Sequence, residues 1–87
     1  MFKIWAKTYV GDRITGDYLY INGDKYDEEE FMSYIIEICH EMDEPTPVVL
    51  KHHLRSFRSF NIATFKASDF VESVSFDKMT LEYVDKA

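Results

Sequence analysis

Few side chains in this sequence are suited to covalent or metal chemistry: Cys39, His40, His52 and His53. A metal centre needs three or four Cys, His, Asp or Glu ligands converging on one point. None of these four pairs at CxxC, HxxxH or HExxH spacing. Adjacent residues on a helix point about 100° apart, so neither Cys39-His40 nor His52-His53 is a ready chelate. Nucleophilic catalysis would set Cys39 against a histidine base. Cys39 falls on the apolar stripe of a predicted helix, however, where burial raises a thiol pKa and leaves it inert. The expectation is a core cysteine and histidines that pack or face water. Glu28, Glu29 and Glu30 are accounted for by a helix start, and Gly11, Gly16 and Gly23 form no phosphate-cradling loop. The chain is therefore read as no enzyme, with no metal and no cofactor; a small enzyme of unknown reaction is the weakest reading.

Binding chemistry is better represented. Lys3, Trp5, Lys7 and Tyr9 alternate cation with aromatic along one face of a predicted strand, and Tyr18 and Tyr20 are expected to continue that face on the neighbouring strand. Trp, Tyr and Arg dominate interface energetics, so an aromatic sheet face on a small domain points to a protein partner, with a second copy as the simplest one. The expected function is a protein-interaction domain, a homodimer or small adaptor, using Trp5, Tyr9, Tyr18, Tyr20, Arg55 and Arg58. The alternative is nucleic acid, with lysines on phosphates and aromatics on bases, through either the Lys3/Trp5/Lys7/Tyr9 face or Lys51, Arg55 and Arg58. The plain physical reading of the same pattern is a solvated sheet face and two solvated helix faces.

Local signals name the elements that must position these groups. Strict alternation from Phe2 to Val10 predicts a strand. Gly11-Asp12-Arg13 reads as a turn and Ile14 to Ile21 as a second strand, giving an antiparallel hairpin closed by another turn at Asn22-Gly23-Asp24. Asp27 is placed to cap a helix, with Glu30 completing a capping box and Tyr26 and Phe31 forming a hydrophobic staple. Phe31, Ile35, Ile38, Cys39 and Met42 follow as one apolar stripe, opposite Glu30, Glu37, Glu41 and Glu44. Pro45 and Pro47 end that helix. Val48-Val49-Leu50 is read as a short strand, in preference to a helix starting at Pro47. Leu50, Leu54 and Phe57, beside Lys51, Arg55 and Arg58, predict a second helix over 51–59. Residues 61–66 are ambiguous, Ser68-Asp69-Phe70 reads as a turn, and alternation after Val74 predicts a terminal strand. The sum is an α+β two-layer sandwich, a small antiparallel sheet of 3–5 strands with two helices on one face.

Composition agrees with one domain over residues 1–87. Hydrophobic residues make up 46% and charged residues 30%, too apolar for disorder at a net charge of -6. Residues 11–44 hold eleven acids against Arg13 and Lys25, whereas residues 45–68 hold no acid and carry Lys51, Arg55, Arg58 and Lys66. A dipolar surface is expected, so net charge alone excludes neither RNA nor DNA. No apolar run approaches the roughly 20 residues of a membrane helix, and Lys7 interrupts any signal-peptide core. With a single cysteine the expectation is a cytoplasmic protein and no membrane partner.

The runs Phe2-Lys3-Ile4-Trp5-Ala6-Lys7, Ile38-Cys39-His40-Glu41-Met42-Asp43, Pro45-Thr46-Pro47-Val48-Val49-Leu50 and Asp69 to Asp77 resemble a group of small bacterial proteins of uncharacterised function. The resemblance spans nearly the whole chain. It implies a standalone bacterial protein and carries over no activity, ligand or site.

Overall fold

The computed structural model describes residues 1–84. Strand β1 (Phe2–Val10) and strand β2 (Arg13–Asn22) form the expected hairpin. Gly11 sits at φ 60°, a left-handed conformation that glycine adopts without a Cβ penalty, and its N–H donates to Asp77 Oδ2 at 2.7 Å. Beyond the hairpin, a single 3-10 turn at Glu28–Glu30 leads into helix α1 (Phe31–Glu41). Asp27 does cap this turn, accepting from the Glu29 N–H at 3.0 Å. The expected reciprocal contact of Glu30 is absent: the Asp27 N–H donates to the Tyr34 hydroxyl at 3.1 Å, and the Glu30 carboxylate accepts from Ser33 Oγ. Tyr26 and Phe31 do not staple to one another as expected; each packs on Phe57.

Helix α1 ends in a Schellman motif. Glu44 N–H bonds to Cys39 C=O, Asp43 N–H bonds to His40 C=O, and Asp43 takes φ 58°. Aspartate tolerates that conformation less well than glycine. Asp43→Gly is therefore expected to raise the midpoint of denaturant unfolding by an amount equivalent to about 0.5–1 kcal/mol, with the slope unchanged.

Helix α2 (Lys51–Phe60) begins where expected, but the segment before it is no strand. Val48 N–H makes one isolated bond to the Asp69 carbonyl, and Leu50 N–H is taken by His53 Nδ1, so no ladder forms. Asn61, at φ 63°, ends α2 and turns the chain directly into strand β3 (Ile62–Lys66). The ambiguous 61–66 segment is thus a sheet edge. A 3-10 turn at Ala67–Asp69 follows, and strand β4 (Lys78–Val84) closes the sheet.

The sheet is antiparallel throughout, in the order β2-β1-β4-β3. It forms a small α+β fold with both helices on one face. Phe2, Ile4 and Ala6 of β1, Tyr20 of β2, Ala63 and Phe65 of β3, and Met79 and Leu81 of β4 point into the core, where Phe31, Ile35, Ile38, Cys39 and Phe57 of the helices meet them. Tyr26, Tyr34, Phe57 and Tyr83 form an aromatic cluster around Phe2. Tilted and edge-on rings of this kind add to simple area burial.

Among the described residues His53 is the one charged-type side chain sealed inside, at 1% exposure. Its Nδ1 accepts from Leu50 N–H at 2.9 Å, which places the ring proton on Nε2, donating to Asp69 Oδ2 at 3.2 Å. The ring stacks on Phe65 with centroids 4.2 Å apart. Asp69 also accepts from Lys66 N–H at 2.8 Å. One imidazole therefore ties the start of α2 to the end of β3. Burial holds its pKa below the usual 6.5, and the Asp69 carboxylate opposes that shift only in part.

Candidate interaction surface

The face of the sheet opposite the helices is open, and the strand register maps it residue by residue. Across β2, β1, β4 and β3 the rows read Ile14, Tyr9, Lys78, Lys66; then Asp17, Lys7, Thr80, Thr64; then Leu19, Trp5, Glu82, Ile62; and finally Ile21, Lys3, Val84. The face divides into two halves. Toward β2 it is apolar, with Trp5 37%, Leu19 44%, Ile14 49% and Ile21 56% exposed. Toward β3 and β4 it carries Lys66, Lys78, Thr64 and Thr80 at one end and Glu82, Ile62 and Val84 at the other.

Trp5 is held in place. Its indole N–H donates to Asp17 Oδ2 at 3.0 Å, and the Lys7 ammonium lies 3.9 Å from the ring centroid while reaching Glu82 at 3.4 Å. Tyr9 shares this face beneath the Lys78 ammonium, 4.9 Å away. Tyr18 and Tyr20 do not. The register sets Tyr18 opposite Ala6 and Tyr20 opposite Ile4, so both point toward the helices. The expected continuation of the aromatic face is therefore corrected: Leu19 and Ile21 occupy those places. Alternation in Tyr18-Leu19-Tyr20-Ile21 was readable in the sequence. Which phase faces inward depends on the pairing with β1, where Ile4 and Ala6 are committed to the core.

The inward tyrosines form part of a second surface. Tyr18, Tyr20, Ile36, Glu37, His40 and Glu41 line a shallow groove of about 430 Å³ between β2 and α1. The Tyr20 hydroxyl donates to the Glu37 carboxylate and accepts from Asn22 Nδ2 at 3.0 Å. Burial first, and the Glu37 bond second, raise the Tyr20 pKa. Ile36 at the rim is half exposed.

The remaining predicted residues lie elsewhere. Arg55 stands exposed on α2, on the helix side of the sheet. Arg58 is not a free cation, since its guanidinium grips the Glu28 carboxylate in a two-bond fork at 3.0 and 2.7 Å. Burial pushes the Cys39 thiol up to about 11. Among the described residues no three His, Cys, Asp or Glu side chains converge as metal ligands. Among them, too, no helix is long and apolar enough to cross a membrane.

The apolar half of the open face and the Ile36-rimmed groove both flank strand β2, and β2 is a sheet edge. Tyr83 N–H bonds to the Asn61 carbonyl, so the odd-numbered residues of β4 direct their backbone groups toward β3. Antiparallel alternation then turns the even-numbered residues of β1 toward β2, and the N–H and C=O of Asp17, Leu19 and Ile21 away from the sheet. The opposite edge is different: β3 is five residues long and ends in Lys66. Short length and lysine are the usual protections of an edge. From Ile14 to Asn22, β2 has neither lysine nor proline. No family model, curated protein or solved structure matches the chain.

Proposed function

We propose that this protein works through protein association, pairing the β2 edges of two copies into one continuous sheet. The observation that carries this reading is a ten-residue edge strand with unprotected backbone groups, with exposed Ile14, Leu19 and Ile21 on its open face and exposed Ile36 of α1 beside its other face. Such an edge is a template for another strand. A second copy is the favoured occupant because the strand is self-complementary. Around a twofold axis at Tyr20, Leu19 of each copy stands opposite Ile21 of the other. The row Trp5, Leu19, Ile21, Lys3 then runs unbroken across the junction, and the two Ile36-rimmed grooves close toward each other. Paired apolar residues directly across strands each contribute a few tenths to about 1 kcal/mol, and the twofold axis doubles every contact.

Carrying a partner in place of a reaction fits a domain whose only cysteine is buried with a raised pKa and whose one buried histidine is engaged in tying elements together. A reducing, cytoplasmic setting suits that cysteine.

The test is absolute mass by light scattering behind a sizing column, over a range of protein concentrations and at low and high salt. The expected result is about twice the chain mass of 10.3 kDa, insensitive to salt because the contact is mainly apolar and backbone. A single chain mass at every concentration overturns the reading.

A further inference from the structure

The half of the open face that the β2 edge does not use has features the dimer leaves unexplained. Lys66 and Lys78 are directly opposed across β3 and β4. Like charges at that separation repel, and natural sheets avoid the pairing unless something offsets it. Among the described residues neither lysine has a carboxylate within ion-pair distance. Lys78 instead leans away, over the Tyr9 ring. One row further along the strands, Thr80 is 5% exposed, and its buried hydroxyl has no hydrogen-bond partner among the described residues. A hydroxyl in that condition normally finds a partner, since leaving it unpaired costs stability. Thr80 lies between Lys7 on β1 and Thr64 on β3, in the same patch as the opposed lysines.

We propose that Lys66, Lys78, Lys7, Thr64 and Thr80 form a site for a phosphate group. Two ammonium groups without carboxylate partners and two hydroxyls, with Lys7 held beside them on Trp5 and Glu82, match a tetrahedral anion with several acceptor oxygens. The anion lies between Lys66 and Lys78 and relieves their repulsion. It draws Lys78 off Tyr9, and one of its oxygens accepts a hydrogen bond from the Thr80 hydroxyl. The patch is local. Asp17 and Glu82 share the face and offset part of Lys3 and Lys7, whereas the acids of residues 27–44 lie on the helix side and its loops, so a chain of net charge -6 still offers the Lys66 and Lys78 end of this face a positive potential. The face is flat and borders two aromatic rings, a geometry open to a phosphodiester strand as well as to a small phosphate.

The experiment follows the emission of Trp5, the single tryptophan, whose ring touches Lys7. The intact protein at low salt is titrated separately with inorganic phosphate and with oligo-deoxythymidylate. A saturable change with phosphate identifies a small-anion site. A change with the oligonucleotide alone identifies a phosphodiester site, with affinity falling as salt rises. Either supports the proposal. Lys66→Gln together with Lys78→Gln is expected to weaken binding roughly tenfold or more. Thr80→Val, which keeps the shape and removes only the hydroxyl, is expected to weaken it several-fold while the far-ultraviolet circular dichroism stays unchanged. Arg55→Gln, on the far side of the molecule, should leave it unaltered. No saturable change with either probe overturns the site, and so does an equal loss with Arg55→Gln. The lysines and threonines lie away from β2, so this result stands apart from the mass of the protein in solution.

Discussion

Leu19→Lys is expected to convert the protein to a single-chain species at concentrations where the parent is a dimer, raising the dissociation constant about a hundredfold or more. The substitution enters the interface twice. Each lysine replaces a Leu19 contact with Ile21 of the other copy and brings a charge to a junction that closure would dry. A loss of about 1.5 kcal/mol per site, taken twice, is about 3 kcal/mol, or roughly two decades in affinity. The fold should be indifferent, because Leu19 is 44% exposed on an edge strand and lysine is the residue nature places at such edges. Thr64→Lys is the matched control, an exposed position on the other edge of the same face. Light scattering should report a lighter species for the first variant and the parental mass for the second. Loss of the dimer in both would assign the contact to the face as a whole and remove the β2 edge from it.

His53→Ala is expected to lower stability by about 3 kcal/mol, a large share of the ~5–15 kcal/mol that holds a typical domain together. The change removes the acceptor for Leu50 N–H and the donor to Asp69 Oδ2, and it opens a cavity against Phe65. It also changes the pH dependence in a definite direction. Burial favours the neutral ring, so the unfolded chain binds the His53 proton more readily than the folded one. This contribution is fully present above the ordinary value of 6.5 and is lost as pH falls through that value toward the lowered one in the fold. Protonating Nδ1 would also abolish the bond from Leu50 N–H. Denaturant unfolding at pH 7.5 and about pH 5.5 should show the parent losing stability between the two, and His53→Ala losing correspondingly less. An equal loss in both proteins would mean that this ring does not carry the proton-linked term.

The parts of the fold legible in the sequence were those written in local code. The alternation of β1, the Gly11 turn, the Asp27 cap and the apolar stripes of both helices each need only a few neighbouring residues to be read. The misread parts depend on pairing. Val48-Val49-Leu50 has strand composition, but its backbone groups are claimed by Asp69 and His53, residues of other elements. Residues 62–66 became a strand because β4 arrives to pair with them, which composition alone cannot announce. The site followed the same rule. Trp5 and Tyr9 were placed on one face correctly from β1 alone. Leu19 and Ile21 were missed because the inward phase of β2 is decided by Ile4 and Ala6 across the ladder. The opposed lysines and the orphaned Thr80 hydroxyl became visible only with the β3–β4 register.

The strand order has a kinetic consequence. β4 is inserted between β1 and β3, so its ladder with β1 joins residues that lie 69 to 81 positions apart, while the β1–β2 hairpin closes across a two-residue turn. The hairpin can form in microseconds, but the central pairing must wait for a long loop to close and for β3 to be delivered by α2. During that interval the hairpin presents both of its edges, one awaiting β4 and one bearing Leu19 and Ile21. Intermolecular pairing competes with folding for as long as that state lasts. The feature that favours association of the finished protein is therefore also a hazard of its assembly, and refolding yield should depend on how dilute the chain is when β4 docks.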